Sequence, residues 1–481
     1  MQEDTSQHSS RCQFLPGGGQ IKGPDSCIRK GFAGLRKRIA TLIDLDWTSC
    51  PNLLILIALF TISRVILLNT GFGLDADAWR IANTAHDLNN LQVYHTSRSF
   101  GFPLPEIIDS LVINYEWVAT NSLTMVLSLV SVIFFAKILN EWNVENKGII
   151  VVAYCFMPIL WINSANSMDY MWALTFIILS WFSVLKDKYL LAGVMLGLAI
   201  GSRMTSAVFV LPLLYLISER TSIVKDSMRL VLGMMLTSFV LFLPVFLQYG
   251  TEFLSGDAVG TDLVRSILIA GKHLGILSVV LILAVLVSSG KKLIQNLRSK
   301  DRITVFLSLS ICLFLIVYFI APYEVGYLIP VIPFGLLLLG KIGGRTLTGL
   351  LCASLVLSSF VVLPDISPMG EGLVVQDFKD RTEQIEITQR LRDIEITRAV
   401  IVIGWYLPCL VYLDENDTVN LGEALWDSSK DVWYCYLLPI EELRYYQNEG
   451  YAVFYIEGMS QFTEEVHGYD LDEQSAEYLE V

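Results

Sequence analysis

Apolar runs of bilayer-crossing length recur along residues 51–362 of this chain and then cease. A helix needs about 17–25 mostly apolar residues to cross the hydrocarbon layer. On that measure the pattern predicts eleven spans, at about 51–70, 120–139, 148–163, 169–185, 189–202, 205–218, 229–248, 273–289, 303–321, 327–340 and 344–363. Several abut a neighbour, so the parity of the count carries more weight than its exact value.

The connection between the first two spans, residues 71–119, is long and patterned. In "DADAWRIANTAHDLNNL" Trp79, Ile81, Ala82, Ala85 and Leu88 recur at helical spacing. In "GFPLPEIIDSLVINYEWV" a second apolar stretch follows a Pro-punctuated turn. Both read as helices lying flat at a membrane surface. Beyond residue 363 the pattern becomes that of a small soluble α/β domain. "DFKDRTEQIEITQRLRDI" and "PIEELRYYQNEG" read as helices, and "RAVIVIGWYL", "VWYCYLL" and "YAVFYIEG" as strands.

The expected fold class is therefore an α-helical polytopic membrane protein of about eleven transmembrane helices with a small C-terminal α/β domain. Residues 1–50 read as a basic, disordered tail without an apolar signal-peptide core, which leaves targeting to the first span as an uncleaved anchor. Residues 51–363 form the membrane domain and 364–481 the soluble one.

Composition agrees. The chain is 53% hydrophobic and 17% charged, against about 25% charged in soluble domains. Lys and Arg mark cytoplasmic loops. They cluster in the tail (Lys22, Arg29, Lys30, Arg36, Lys37, Arg38) and then in every second loop, as in "KKLIQNLRSKDR". The tail is expected inside the cell, and an odd number of spans puts the C-terminal domain outside. That domain is acidic, with 25 Asp or Glu against 7 Lys or Arg in residues 365–481. No basic footprint for nucleic acid is present. Of the cysteines, Cys409 and Cys435 are the exterior pair that an oxidising compartment could join.

An ionisable side chain in the bilayer costs about 2.5–3.5 kcal/mol on insertion scales, so one that stays there faces a cavity or a partner. Four separated segments deliver such groups to the exterior side. The first loop brings Asp75, Asp77, Arg80, Tyr94, Arg98 and Glu106; later segments bring Asp169 with Tyr170, Arg203, and Glu324 with Tyr327. Plainer roles exist for each. Asp75 or Asp77 could cap the helix that follows, Arg98 and Arg203 could be interfacial anchors, Asp169 a solvated cap, and Glu324 a loop acid. Arg64, inside the first span, could pair with a neighbouring helix.

The series "LDADAW", "VYHTSRSFGFPLPE", "SMDYMWALTF", "LAGVMLGLAIGSRMTSAVFVLP" and "YEVGYLIPVIPF", in this order over residues 52–340, resembles the GT-C superfamily of polyprenyl-phosphate-dependent glycosyltransferases. The likeness is to its protein O-mannosyltransferase and aminoarabinose-transferase branch. The resemblance implies transfer of a sugar from a lipid-linked phosphate to a protein, lipid or glycan acceptor at the outer membrane surface. It implies Asp75 or Asp77 as the general base, with Asp75 favoured, and Asp169 as a second acid orienting the acceptor. Arg98, Arg203 and Tyr327 would hold the donor phosphate, and Arg80, Tyr94, Glu106, Tyr170 and Glu324 would line the pocket. The sequence shows no required cofactor. A divalent metal, as in some relatives, would have Glu106 and His273 as its ligands here. The chain has Asp-Ala-Asp where many protein mannosyltransferases have Asp-Glu. A multi-span transporter or flippase of lipid-linked sugars, or a non-catalytic binder of them, is the rival class, although transporters place their coupling acids near the midplane on broken helices.

Overall fold

The computed structural model describes residues 44–218, 222–251, 263–320, 324–362, 370–414, 418–420, 422, 424–456 and 477–479. The disordered tail expected at the N-terminus falls almost entirely outside the described residues. Among the described residues five helical segments are long and apolar enough to cross a membrane: Cys50–Asn69, Ile113–Glu141, Ile223–Tyr249, Ile276–Arg298 and Arg302–Ile320. The rest of the eleven predicted spans are shorter or broken helices.

The chain order is α1 (Cys50–Val65), α2 (Ala76–Asn90), α3 (Pro103–Ser110), α4 (Glu116–Glu141), α5 (Lys147–Phe156), α6 (Pro158–Asn163), α7 (Tyr170–Leu185), α8 (Tyr189–Ser202), α9 (Val210–Ile217) and α10 (Ile223–Tyr249). It continues with α11 (Leu263–Leu274), α12 (Ile276–Arg298), α13 (Arg302–Ile320), α14 (Val331–Ile342) and α15 (Arg345–Leu357). The run expected at 148–163 is split because Pro158 lacks an N–H and holds Met157 extended, at φ −71° and ψ 144°.

Two devices hold the bundle together. Trp181 stacks on Phe334 at 5.1 Å, and Phe334 stacks on Phe314 at 6.1 Å, in a buried aromatic core. On α8, Gly193, Gly197 and Gly201 lie one turn apart and face α10. A Cβ at Gly193 would stand 2.0 Å from the backbone oxygen of Leu230, so the absence of side chains is what lets the two backbones approach. This contact sets the end of α8, where Arg203 follows.

The C-terminal part is α/β. After the short strands β1 (Val361–Val362) and β2 (Gly370–Glu371) come α16 (Leu373–Arg392), β3 (Ala399–Val402), α17 (Leu407–Leu413), β4 (Thr418–Asn420), β5 (Ala424–Asp427), β6 (Val432–Cys435), α18 (Ile440–Asn448), β7 (Ala452–Ile456) and β8 (Glu477–Leu479). The sheet order is β4-β5-β6-β3-β7-β8, with β3 parallel to both β6 and β7 and an antiparallel β4-β5-β6 edge. The three predicted strands and both helices are found; the short strands β4, β5 and β8 and the helix α17 are additional. Cys409 and Cys435 are free and buried in different clusters, so no bridge joins them.

This part is docked on the loop after α1. Phe72, Trp79 and Tyr412 of α17 meet edge to face, with centroids 4.7 to 5.9 Å apart. Arg381 of α16, fully buried, donates to the carbonyls of Ala165 and Ile162 at 2.8 and 3.3 Å. The apolar face of α2, expected against a membrane surface, is instead covered by protein: Trp79, Ile81 and Ala85 have no exposure.

Candidate active site

The segment leaving α1 is fixed before it reaches its acids. Asn121 donates to the carbonyl of Gly71 at 2.8 Å, and Ser167 N–H to that of Phe72 at 2.7 Å. Gly71, at φ +76°, sits against the Trp79 ring, where a Cβ would come within 2.9 Å. Asp75 then caps α2, its Oδ1 accepting from the Asp77 N–H at 2.9 Å. The capping role is real, and it falls on Asp75.

Asp77 points the other way, into an ion-pair chain. Its Oδ1 accepts from Arg80 at 3.0 Å and its Oδ2 from Arg98 at 2.6 Å. The second arm of Arg98 reaches Asp169 Oδ1 at 2.9 Å, and Asp169 Oδ2 takes Arg203 at 2.6 Å. The other arm of Arg203 is 3.3 Å from the Tyr170 hydroxyl, which donates to Glu324. Nine of the residues expected at the site are thus assembled at one end of the bundle: Asp75, Asp77, Arg80, Arg98, Asp169, Tyr170, Arg203, Glu324 and Tyr327.

Aromatic faces hold the guanidinium groups. Arg203 lies 3.9 Å from the Tyr170 ring centroid and 4.1 Å from that of Tyr327, and Arg98 lies 3.9 Å from Phe102. Tyr327, expected as a phenol donor, here offers Arg203 its ring. Phe102 was not anticipated, although it lies inside the quoted "SFGFPLPE". Gly326 was also missed: the Tyr170 ring packs where a Cβ would be, 2.0 Å away. The Nε–H groups of Arg98 and Arg203 are buried and have no acceptor among the described residues.

The two loop acids differ in proton affinity. Asp75 is exposed as a residue, while its carboxyl is partly enclosed beside those of Asp77 and Glu324. That burial, with the like charges of Asp77 and Glu324, pushes its carboxyl up to about 7. Burial would also raise Asp77, yet the guanidinium groups of Arg98 and Arg80 outweigh it and hold Asp77 below its ordinary value. Carboxylates driven apart in this way recur at acid/base sites and also in structural ion-pair networks.

Tyr94, Glu106 and His273 stand outside this chain of contacts. Glu106 accepts from the Tyr94 hydroxyl at 2.7 Å, from the Ser97 N–H at 2.9 Å and from Ser97 Oγ at 2.6 Å, so both its oxygens are engaged in fixing the turn that precedes Arg98. His273 Nδ1 lies 2.9 Å from the Ile269 carbonyl of its own helix. Glu106, offered with His273 as a metal pair, thus has both its oxygens taken by protein donors. Among the described residues, the ligand oxygens that do come within 4.8 Å of one another belong to Asp75, Asp77 and Glu324. Both oxygens of Asp77 are already taken by arginines, which leaves this trio a poor match for a hard cation that wants free carboxylate oxygens.

The comparisons bear on this arrangement. The chain is similar to a crystal structure of ArnT from Cupriavidus metallidurans bound to undecaprenyl phosphate. The TM-score is 0.50 at 11% identity, and the match covers 89% of this chain and 90% of that one. This chain has the ArnT fold. The resemblance to the GT-C fold read from its sequence therefore holds, and with its long apolar helices the protein is an integral, multi-pass membrane protein. No family model and no curated protein matches the sequence. The cluster lies where the start of α2, the start of α7, the end of α8 and the segment before α14 meet, and the α/β part touches it through Tyr436 on Arg80.

Proposed function

We propose that this protein transfers a sugar from a polyprenyl-phosphate-linked donor to an acceptor hydroxyl at the extracytoplasmic membrane face, with Asp75 as general base. The observation that carries the reading is Asp75 itself, an accessible carboxyl with a pKa near 7 beside a chain of three arginines, in a protein with the ArnT fold.

The acceptor hydroxyl is a poor nucleophile until a base takes its proton. Asp75 receives that proton as the acceptor oxygen bonds to the anomeric carbon. The bond from that carbon to the phosphate oxygen breaks, and polyprenyl phosphate leaves with the electron pair. The positive charges of Arg98 and Arg203 stabilise the charge on the departing phosphate. Asp77 and Asp169 hold those cations in place. ArnT crystallised with undecaprenyl phosphate, and the same class of lipid is the donor carrier proposed here. In this reading residues 51–363 are the catalytic membrane unit, the N-terminus is cytoplasmic, and residues 364–481 cover the site from outside.

The test is transfer from a radiolabelled polyprenyl-phosphate hexose by protein in liposomes. Wild type should move label to an added membrane acceptor fraction, and Asp75→Asn should lose about 10²–10⁴ of the rate while still binding the lipid. Label carried across the bilayer without transfer would instead support a flippase, and full activity in Asp75→Asn would remove the base.

A further inference from the structure

A cleft of about 230 Å³ runs between α2, the 95–97 segment and the C-terminal α/β part. We propose, on the strength of the transferase reading above, that this cleft is the acceptor subsite and that it takes an uncharged, hydroxyl-bearing sugar unit.

The cleft and the acid cluster share one side chain. Arg80 lines the cleft, is paired with Asp77 at 3.0 Å, and stands over the Tyr436 ring at 5.1 Å. A molecule seated there meets the side chain that pairs with Asp77. The walls are matched to a polyol. Asn83, Thr84, Thr96, Ser97 and Asn420 line it; Thr84 is bonded to His95, Ser97 to Glu106 and the Asn83 amide N–H to the Pro408 carbonyl, which among the described residues leaves the Thr96 hydroxyl, the Asn83 side-chain oxygen and the Asn420 amide N–H to meet a polyol. Tyr436, Leu407 and Val411 supply the apolar surface that the C–H face of a sugar ring would cover.

Charge argues against an anionic acceptor. Among the described residues no carboxylate lines the cleft, and its cations are paired: Arg80 with Asp77, and His95 with Asp87 at 2.7 Å. A phosphate or carboxylate would have to break one of those pairs. The volume suits a single ring, which makes the terminal unit of a glycan or glycolipid the part that is held. An extended peptide along the edge strand β4 is the competing occupant.

Saturation-transfer NMR on the purified full chain tests this, with methyl α-mannoside, methyl β-glucoside, maltose and a Ser/Thr hexapeptide as probes. At least one glycoside should bind, and Asn83→Ala and Tyr436→Ala should each weaken it tenfold or more, with unchanged binding of undecaprenyl phosphate. Asn420→Ala, at an exposed position, should weaken it measurably even if the other two variants misfold. Absence of glycoside binding, binding that ignores all the variants, or displacement by the peptide alone overturns the proposal. Failure of the transferase reading has a different signature: wild type binds the glycoside but leaves a polyprenyl-phosphate sugar intact.

Discussion

Asp75 accepts the backbone N–H of Asp77 at 2.9 Å, so the cap of α2 and the acid cluster are one piece of structure. The base cannot drift, because its position is that of a helix N-terminus. The N-terminal dipole favours its ionised form, and burial with two neighbouring carboxylates pushes the other way and prevails.

A pH–rate profile is the first check on this assignment. With Asp75 near 7, kcat/KM for transfer should fall about tenfold per pH unit below that value and level off above it. Asp75→Glu should retain part of the activity on a shifted limb. A profile flat from pH 5 to 8 would dissociate Asp75 from the rate.

Stability should respond to the same group in the opposite sense. In the unfolded chain Asp75 titrates near its ordinary value, about 4, so between there and about 7 the folded protein binds the extra proton. Folding is thus favoured at the acid end of that window and loses this contribution as pH rises through it. Asp75→Asn, which still caps α2, should raise the thermal unfolding temperature at pH 8 and change it little at pH 4. A lower temperature at pH 8 contradicts the assignment.

Arg98 joins Asp77 to Asp169, and both acids are buried. Replacing it by Gln leaves two carboxylates short of a partner, at a cost of about 3–5 kcal/mol. Arg98→Lys, a point charge, can serve one acid at a time and should recover only part of the loss. Denaturant unfolding of the two variants in detergent measures the difference, and equal stability of Gln and wild type would deny the bridge.

Gly326 admits the Tyr170 ring by having no side chain. Gly326→Ala should therefore displace Tyr170 from Glu324 and Arg203, costing about 1–3 kcal/mol by overpacking and lowering transfer by an order of magnitude or more. In a Tyr170→Ala background, where the space is already clear, Gly326→Ala should cost no further stability. Two additive losses would show that the ring is not the obstacle.

Much of the fold was legible in order along the chain. The apolar runs announce a helical membrane unit, and alternation after residue 363 announces β3, β6 and β7. The misreadings have local causes. Pro158 splits one span, β4 and β5 are too short to carry a pattern, and the apolar stripe of α2 does not say whether lipid or protein will cover it. Trp79 is covered by Tyr412, more than three hundred residues later.

The candidate site divides in the same way. The sequence by itself determined which ionisable groups a mostly apolar chain retains, because each costs free energy unless it has a cavity or partner. It also determined which ends of the spans carry them. Only the tertiary structure decided the partners: that Asp77 is locked between Arg80 and Arg98 while Asp75 is left to titrate, that Tyr327 meets Arg203 with its ring, and that Tyr94 and Glu106 brace a turn apart from the ion-pair chain. Proton affinity and charge pairing depend on through-space distances of a few ångströms, and residue order does not encode these.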